Sequence, residues 1–200
     1  GYQLPSIQLN NKAEIEGETT QANTELSITA WDNEQKNTLS KIIITVNGNP
    51  IHGTNGWDIS AEKINKKSIK IPVQFSVGVN AIKVSCINNN GVESLREAVY
   101  ISYEPATLPQ FKTWFIGIGV SKYADQKNNL TYAKKDANDL AAAFSKNTSV
   151  QTILITDEQA TKENILAIKQ HLLKQTTVND AVIISLSGHG VVDDEYNFYF

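Results

Sequence analysis

The chain has 200 residues, of which 40% are hydrophobic and 20% charged, so it can form one large domain or two ordinary ones. The formal net charge of −3 excludes the excess of basic residues with which proteins bind nucleic acid or an anionic membrane. No apolar run approaches the roughly 20 residues of a membrane-spanning helix. The one cysteine, Cys86, excludes an internal disulfide and a multi-cysteine zinc site.

The two ends of the chain resemble cuts in a longer protein. The first residue is Gly1 rather than Met, and the last residue, Phe200, lies in an aromatic segment typical of a strand. If the protein has a targeting signal, we expect that it has been lost with the N-terminus. A single cysteine is compatible with a reducing compartment. The compartment stays unassigned, with the cytoplasm slightly favoured.

Up to residue 104 the pattern predicts short strands separated by turns. Polar and apolar residues alternate over residues 25–31, which is the period of a half-buried strand. Four more segments are predicted to be strands, with Asn- and Gly-rich turns at 47–50 and 88–91: residues 42–46, 68–73, 80–87 and 98–103. Six or seven short strands without a helix predict an antiparallel β-sandwich over residues 1–104.

Three segments of this half also carry a family resemblance. They are VNGNPI at 46–51, GVNAIKVSCINNNGVES at 78–94 and VYISY at 99–103. Together they look like the last strands of bacterial immunoglobulin-like modules. The resemblance implies an all-β immunoglobulin-like sandwich.

Residues 105–110 are predicted to be a linker, because Pro105 and Pro109 disfavour both a helix and a central strand. From residue 111 onwards, strands alternate with helices. Apolar strands are predicted at 112–120, 150–155 and 181–186, and helices at 131–146 and after the capping residue Thr161. This alternation predicts right-handed crossovers and a mainly parallel sheet in an α/β/α domain.

The tetrapeptide Ser187-Gly188-His189-Gly190 directly follows the third of these strands. In an open parallel sheet, functional residues lie at the carboxyl ends of the strands. The imidazole of His189 is therefore expected at the rim of the sheet, where flanking glycines let a substrate backbone approach. This position suits a general base. The alternative is a hydrogen-bonded structural histidine in a tight turn.

The sequence motifs for nucleotide or calcium binding are weaker. Gly117-Ile118-Gly119 lacks the third glycine of a dinucleotide-binding fingerprint, and no Walker sequence occurs. Asp193-Asp194-Glu195 could bind calcium, but a solvated loop is the favoured interpretation. We therefore expect no cofactor.

Three segments of the second half match one family in order and spacing. They are FIGIGVSKYADQKNNLTYAKKDANDLAAAF at 115–144, TDEQATKENILAIKQ at 156–170 and VIISLSGHGVVDDEYNFYF at 182–200. This half resembles the N-terminal part of the caspase-like cysteine peptidases, in particular the metacaspase or orthocaspase type of bacteria. The resemblance covers about residues 112–200 and implies that residues 111–200 are the N-terminal part of a caspase-like peptidase domain.

The resemblance implies a catalytic dyad of histidine and cysteine. His189 would help to generate the thiolate and protonate the leaving amine, and the Gly190 N–H would donate to the oxyanion. The family's cysteine follows on the next core strand, which is expected beyond this chain. Cys86 lies in the other half and cannot replace it. The chain alone is therefore expected to be inactive, with the missing part supplied by a following segment or a neighbouring chain.

The resemblance also implies a substrate pocket. Asp136, at the start of the first helix, would bind Arg or Lys at the cleaved position, with Ala133 and Ser187 lining the same pocket. Asp136 could instead be a first-turn residue favoured by the helix dipole, and Ser187 an ordinary strand-end serine.

The function predicted from the sequence is that of a cysteine endopeptidase, acting on a protein or peptide substrate and cutting after Arg or Lys. Two alternatives stay open. One is a pseudo-peptidase that keeps the fold for interaction. The other is an adhesive or structural protein in which the sandwich is the working part. No nucleic-acid or membrane partner is expected.

Overall fold

The computed structural model describes residues 4–199 and divides the chain into two compact units, one ending at Leu108 and the other beginning at Pro109. Each unit has its own cluster of buried apolar side chains. No helix within the described residues is long and apolar enough to cross a membrane.

Over its described residues, the first unit is built from strands, one four-residue α-helix, α1 (Lys12–Ile15), and one 3-10 helix (Ser60–Glu62). The strands are β1 (Ser6–Leu9), β2 (Gly17–Thr19), β3 (Asn23–Trp31), β4 (Leu39–Val46), β5 (Asn49–Pro50), β6 (Trp57–Asp58), β7 (Lys66–Gln74), β8 (Gly78–Asn88) and β9 (Glu97–Tyr103). One sheet has the order β1-β3-β7, and the other has the order β2-β9-β8-β4-β5, with β6 also paired to β4. Both sheets contribute side chains to one core, which gives a two-layer packing of sheet on sheet.

Each of the five strands predicted for this unit lies within an observed strand. The unit also differs from the prediction in three ways. Its described residues form nine strands rather than six or seven. It contains helix α1, although no helix was expected, and β2 pairs in parallel with β9, so the unit is not purely antiparallel. Both elements are short, four and three residues, and a segment of that length is too short for a helical or strand period to be recognised.

The second unit alternates strands and helices. Its elements are β10 (Thr113–Gly119), α2 (Ala133–Phe144), β11 (Val150–Thr156), α3 (Lys162–Gln175), β12 (Ala181–Ser187), β13 (Val191–Val192) and β14 (Phe198–Tyr199). The main sheet has the order β11-β10-β12 with parallel pairing throughout, and β13 and β14 form a separate antiparallel hairpin. Thr161 caps α3, as predicted, because its side chain accepts the N–H of Asn164 at 3.2 Å.

Strand β10 is apolar along almost its whole length because both of its faces are covered. Trp114, Ile116 and Ile118 belong to a buried cluster against which α3 packs. The alternate residues face α2, where the rings of Phe115 and Phe144 stack with centroids 4.3 Å apart. The two helices therefore lie on opposite faces of the sheet, in three layers.

Gly119 lets α2 approach the end of β10. A Cβ at Gly119 would lie 2.7 Å from the carbonyl oxygen of Ala133 and 2.7 Å from the Cβ of Ala137. A Cβ at Gly117 would meet the flexible Leu154 side chain at 3.1 Å. The closest approach of helix and strand is therefore at Gly119, next to the carboxyl edge of the sheet.

We expect Gly119→Ala to lower the free energy of unfolding of the second unit by about 1–3 kcal/mol, because backbone of α2 must move. Gly117→Ala should cost less, since side chains can yield there. Urea unfolding followed by the helical circular-dichroism signal, which comes chiefly from α2 and α3, measures both. An equal or smaller loss for Gly119→Ala would contradict this packing.

Candidate active site

The carboxyl ends of β10 and β12 bring two connecting segments together. Gly119 is the register partner of Ser187, so the chain leaves both strands at the same level of the sheet. The segment after β10 is the loop of residues 121–130, and the segment after β12 is the Ser187–Gly190 tetrapeptide. The Val120 N–H donates to the Ser187 carbonyl at 2.9 Å and fixes the point where they meet.

His189 is held by two hydrogen bonds to the 121–130 loop. Its Nε2 lies 2.8 Å from the carbonyl oxygen of Asn128, and its main-chain N–H donates to the hydroxyl of Tyr123 at 2.8 Å. A carbonyl oxygen only accepts, so Nε2 carries the hydrogen and the neutral ring has its lone pair on Nδ1. The Tyr123 ring lies against the imidazole with centroids 5.0 Å apart. The exposed imidazole of His189 is therefore fixed with Nδ1 as its basic nitrogen.

Tyr123 and Asn128 were not identified from the sequence. Asn128 contributes its main-chain oxygen, a group that every residue has, so no residue-type pattern could have identified it. Tyr123 lies on the loop that follows β10 at the carboxyl edge of the sheet, and that position was its one available signal.

Gly190 lies beneath an aromatic ring of the following hairpin. A side chain at Gly190 would overlap the ring of Phe198. Within residues 4–199, no acceptor receives the Gly190 N–H. This main-chain donor is therefore available to a ligand.

The three residues predicted for the substrate pocket line one cavity. Ala133, Asp136 and Ser187 share its wall with Gly188 and the segment 129–132, and its volume is about 540 Å³. Ala133 is buried, while Asp136 is exposed in the first turn of α2. Because Gly188 precedes His189, the cavity adjoins the histidine. The structure thus brings these residues together, and their role in binding substrate stays a prediction.

Asp157 is a buried acid that the sequence analysis did not identify. It is the first residue after β11 and is 6% exposed. One carboxylate oxygen accepts the N–H of Ser121 at 2.8 Å and of Lys122 at 3.1 Å, and the other lies 3.0 Å from Lys134 Nζ. Burial raises the pKa of Asp157, but Lys134 and the two N–H donors favour the charged form and bring the pKa below its usual value.

Asp193 uses its carboxylate within the β13–β14 hairpin. It accepts the main-chain N–H groups of Glu195 and Asn197 at 2.9 and 2.8 Å, and the Tyr199 hydroxyl at 3.0 Å. The Asn197 N–H is the main reason that the pKa of Asp193 is lowered. No cluster of three or more metal-ligating side chains is found within residues 4–199.

Cys86 lies in the core of the first unit. Its thiol is fully buried, and burial raises the pKa to about 11. The sulfur lies 3.3 Å from the carbonyl oxygen of Ser6. Such a thiol stays protonated at neutral pH and is a poor nucleophile.

Comparisons with known proteins point to one family for the second unit. Residues 114–199 match the family model of the caspase domain. This similarity supports a caspase-like peptidase domain in the second unit. A search of curated proteins found no match.

Two of the solved structures that match are distantly similar to this chain. One is that of fibronectin(III)-like modules of Clostridium thermocellum CbhA, with 19% identity over 54% of this chain and 50% of that chain and a TM-score of 0.37. The other is that of the SrpA adhesin of Streptococcus sanguinis, with 11% identity over 70% of this chain and 73% of that chain and a TM-score of 0.36. The chain thus spans about half the length of the first of these structures. TM-scores this low carry no argument about fold or function.

We expect Cys86 to resist alkylation by iodoacetamide at about pH 8 in the folded chain and to react fully in denaturant, because its thiol is buried and protonated. The folded state keeps a proton that the unfolded thiol loses above about pH 8.5. The contribution of Cys86 to the free energy of unfolding should therefore fall as the pH rises from about 8.5 towards about 11. Comparison with Cys86→Ala isolates this contribution. Alkylation of the folded chain at the rate of the denatured chain would contradict the buried thiol.

Proposed function

We propose that the protein is part of a cysteine endopeptidase of the metacaspase or orthocaspase type, in which His189 and a cysteine outside this chain form the catalytic dyad. The observation that carries the proposal is the fixed imidazole of His189. Because Nε2 donates to the Asn128 oxygen, Nδ1 is the nitrogen of the neutral ring that can accept a proton. The caspase-domain match of the second unit supports the same chemistry.

The proposed reaction is an acyl transfer in two steps. Nδ1 of His189 takes the proton of the thiol, and the thiolate attacks the carbonyl carbon of the scissile peptide. The Gly190 N–H donates to the oxyanion of the tetrahedral intermediate. The imidazolium returns its proton to the leaving amine as the peptide bond breaks. Water then hydrolyses the thioester, and the thiol is restored.

We propose that Asp136 selects a basic residue at the cleaved position. It is the charged side chain among the residues that line the 540 Å³ cavity. The neighbouring lysines are engaged elsewhere, Lys134 with Asp157 and Lys135 with Asp139. The cavity therefore offers a carboxylate, which favours the guanidinium of Arg or the ammonium of Lys.

The unpaired edge of β12 is an argument for a further strand beside it. Among the described residues, β12 pairs with β10 and with no strand on its other side. Its apolar side chains are exposed, 43% for Val182, 61% for Ile184 and 47% for Leu186. An apolar, unpaired strand edge is normally covered. We propose that a following segment, or a neighbouring chain, covers it and carries the cysteine.

We also propose that the first unit is an immunoglobulin-like domain. Two sheets with one shared core support this assignment. Its proposed role is to position the peptidase domain or to bind a regulator or substrate.

The test is cleavage of fluorogenic peptides ending in Arg, Lys or Asp by the parent protein extended past Phe200. We expect turnover of the basic substrates and none with His189→Ala. Asp136→Asn should lower kcat/KM for the Arg substrate about 10- to 100-fold, because a charge-assisted contact is lost. The matched control is Glu163→Gln, which removes an exposed first-turn carboxylate of α3 that does not line the cavity and should leave kcat/KM unchanged.

Cleavage after Asp would agree with a dyad of His189 and a cysteine, but it would contradict the selection of a basic residue by Asp136. No turnover of any substrate by a folded protein would contradict the endopeptidase and favour the pseudo-peptidase.

A further inference from the structure

The buried carboxylate of Asp157 lies where three elements of the second unit meet. It follows β11 directly, and its backbone has a φ of 46°. That left-handed conformation is uncommon for residues other than glycine, and Asp and Asn adopt it most readily of the rest. It turns the chain at the end of the strand, and the carboxylate lies against the 121–130 loop and the start of α2.

The first contact of Asp157 closes the 121–130 loop. Its Oδ1 accepts the N–H groups of Ser121 and Lys122, at one end of the loop. The carbonyl oxygen of Ser121 accepts the N–H of Leu130 at 2.9 Å, so the other end is fixed at the same residue. This loop provides both groups that hold His189, the Tyr123 hydroxyl and the Asn128 carbonyl oxygen.

The second contact of Asp157 fixes the start of α2. Its Oδ2 lies 3.0 Å from Lys134 Nζ, and the Ser121 hydroxyl accepts the Lys134 main-chain N–H at 2.8 Å. Lys134 lies between Ala133 and Asp136, which line the proposed substrate pocket. The same acid is therefore linked to the histidine through the loop and to the pocket through the helix.

We propose that Asp157 is a positioning residue, which fixes the position of the His189 imidazole relative to the substrate pocket. Its effect on catalysis rests on the proposed peptidase function, whereas its effect on His189 does not. Asp157 acts through Ser121 and Lys134 and does not touch the reacting atoms. The charge that faces it is Lys134 on α2. Lys122 contributes its main-chain N–H, and its ammonium lies 3.9 Å from Glu158, the next residue in sequence after Asp157.

Two substitutions separate the two contacts. Asp157→Asn keeps an oxygen that can accept the loop N–H groups but removes the charge that binds Lys134. Asp157→Ala removes both contacts. The matched control is Asp139→Asn, which breaks an exposed ion pair within α2, between Asp139 and Lys135.

The first experiment is nuclear magnetic resonance of the 200-residue chain, which reads His189 without any need for activity. In the unaltered chain we expect an Nε2–H tautomer and Overhauser contacts between the rings of His189 and Tyr123. Asp157→Ala should lose these contacts, whereas Asp157→Asn and Asp139→Asn should keep them. Asp157→Asn should speed amide exchange in the first turn of α2, and Asp139→Asn should not.

The second experiment is the kinetics of the parent protein. We expect Asp157→Ala to lower kcat by as much as about 100-fold, because the imidazole is misplaced. Asp157→Asn should recover most of kcat but keep a severalfold higher KM, because the pocket is still unanchored. If Asp157 only stabilised the fold, both substitutions would lower the amount of folded enzyme. They would not then affect kcat in one variant and KM in the other.

The proposal is overturned if folded Asp157→Ala keeps the ring contacts of His189. If Asp157→Ala does not fold, the test is the rate of amide exchange in the first turn of α2 in Asp157→Asn. A rate equal to that in Asp139→Asn would overturn the proposal. If the magnetic resonance results are as expected but the parent cleaves no peptide, the proposed peptidase function fails and the positioning role stands.

Discussion

The parallel pairing of β10 with β12 is the constraint on which the candidate site depends. Parallel strands end at the same edge of a sheet, and the register places Gly119 opposite Ser187. The loop after one strand therefore reaches the histidine after the other, across more than 60 residues of sequence. The absence of a side chain at Gly119 lets α2 lie close to this edge and bring Asp136 to the same side.

The site relies on main-chain groups more than on side chains. A main-chain oxygen orients the imidazole of His189, and the proposed oxyanion donor is the main-chain N–H of Gly190. Such groups are positioned only as well as their loops are, and a long loop needs an anchor. Asp157, at the end of β11, is that anchor for the 121–130 loop. A buried carboxylate is costly unless it is paired, and here two N–H donors and a lysine compensate its charge.

The sequence was sufficient to predict what depends on local pattern. The alternation of β3, the apolar character of β10, the cap at Thr161 and the histidine after β12 were all recognisable, because period, capping and strand-end position are short-range properties. Helix α1 and the parallel pairing of β2 with β9 were missed, since three or four residues are too few to show a period.

The partners of His189 and the role of Asp157 could not be predicted, because they arise from contacts between distant segments. Asp157 is 36 residues from Ser121, and Asn128 is 61 residues from His189. In the sequence Asp157 is one acid among many. Its special position becomes visible only once β10 and β11 are paired and their ends meet.

The most direct test of the central claim is covalent labelling of the parent protein with an arginine-bearing peptide that carries a thiol-reactive group, followed by peptide mapping. We predict one labelled cysteine beyond residue 200 and loss of the label in His189→Ala. Labelling of Cys86, or labelling that does not depend on His189, would contradict a dyad built on this histidine.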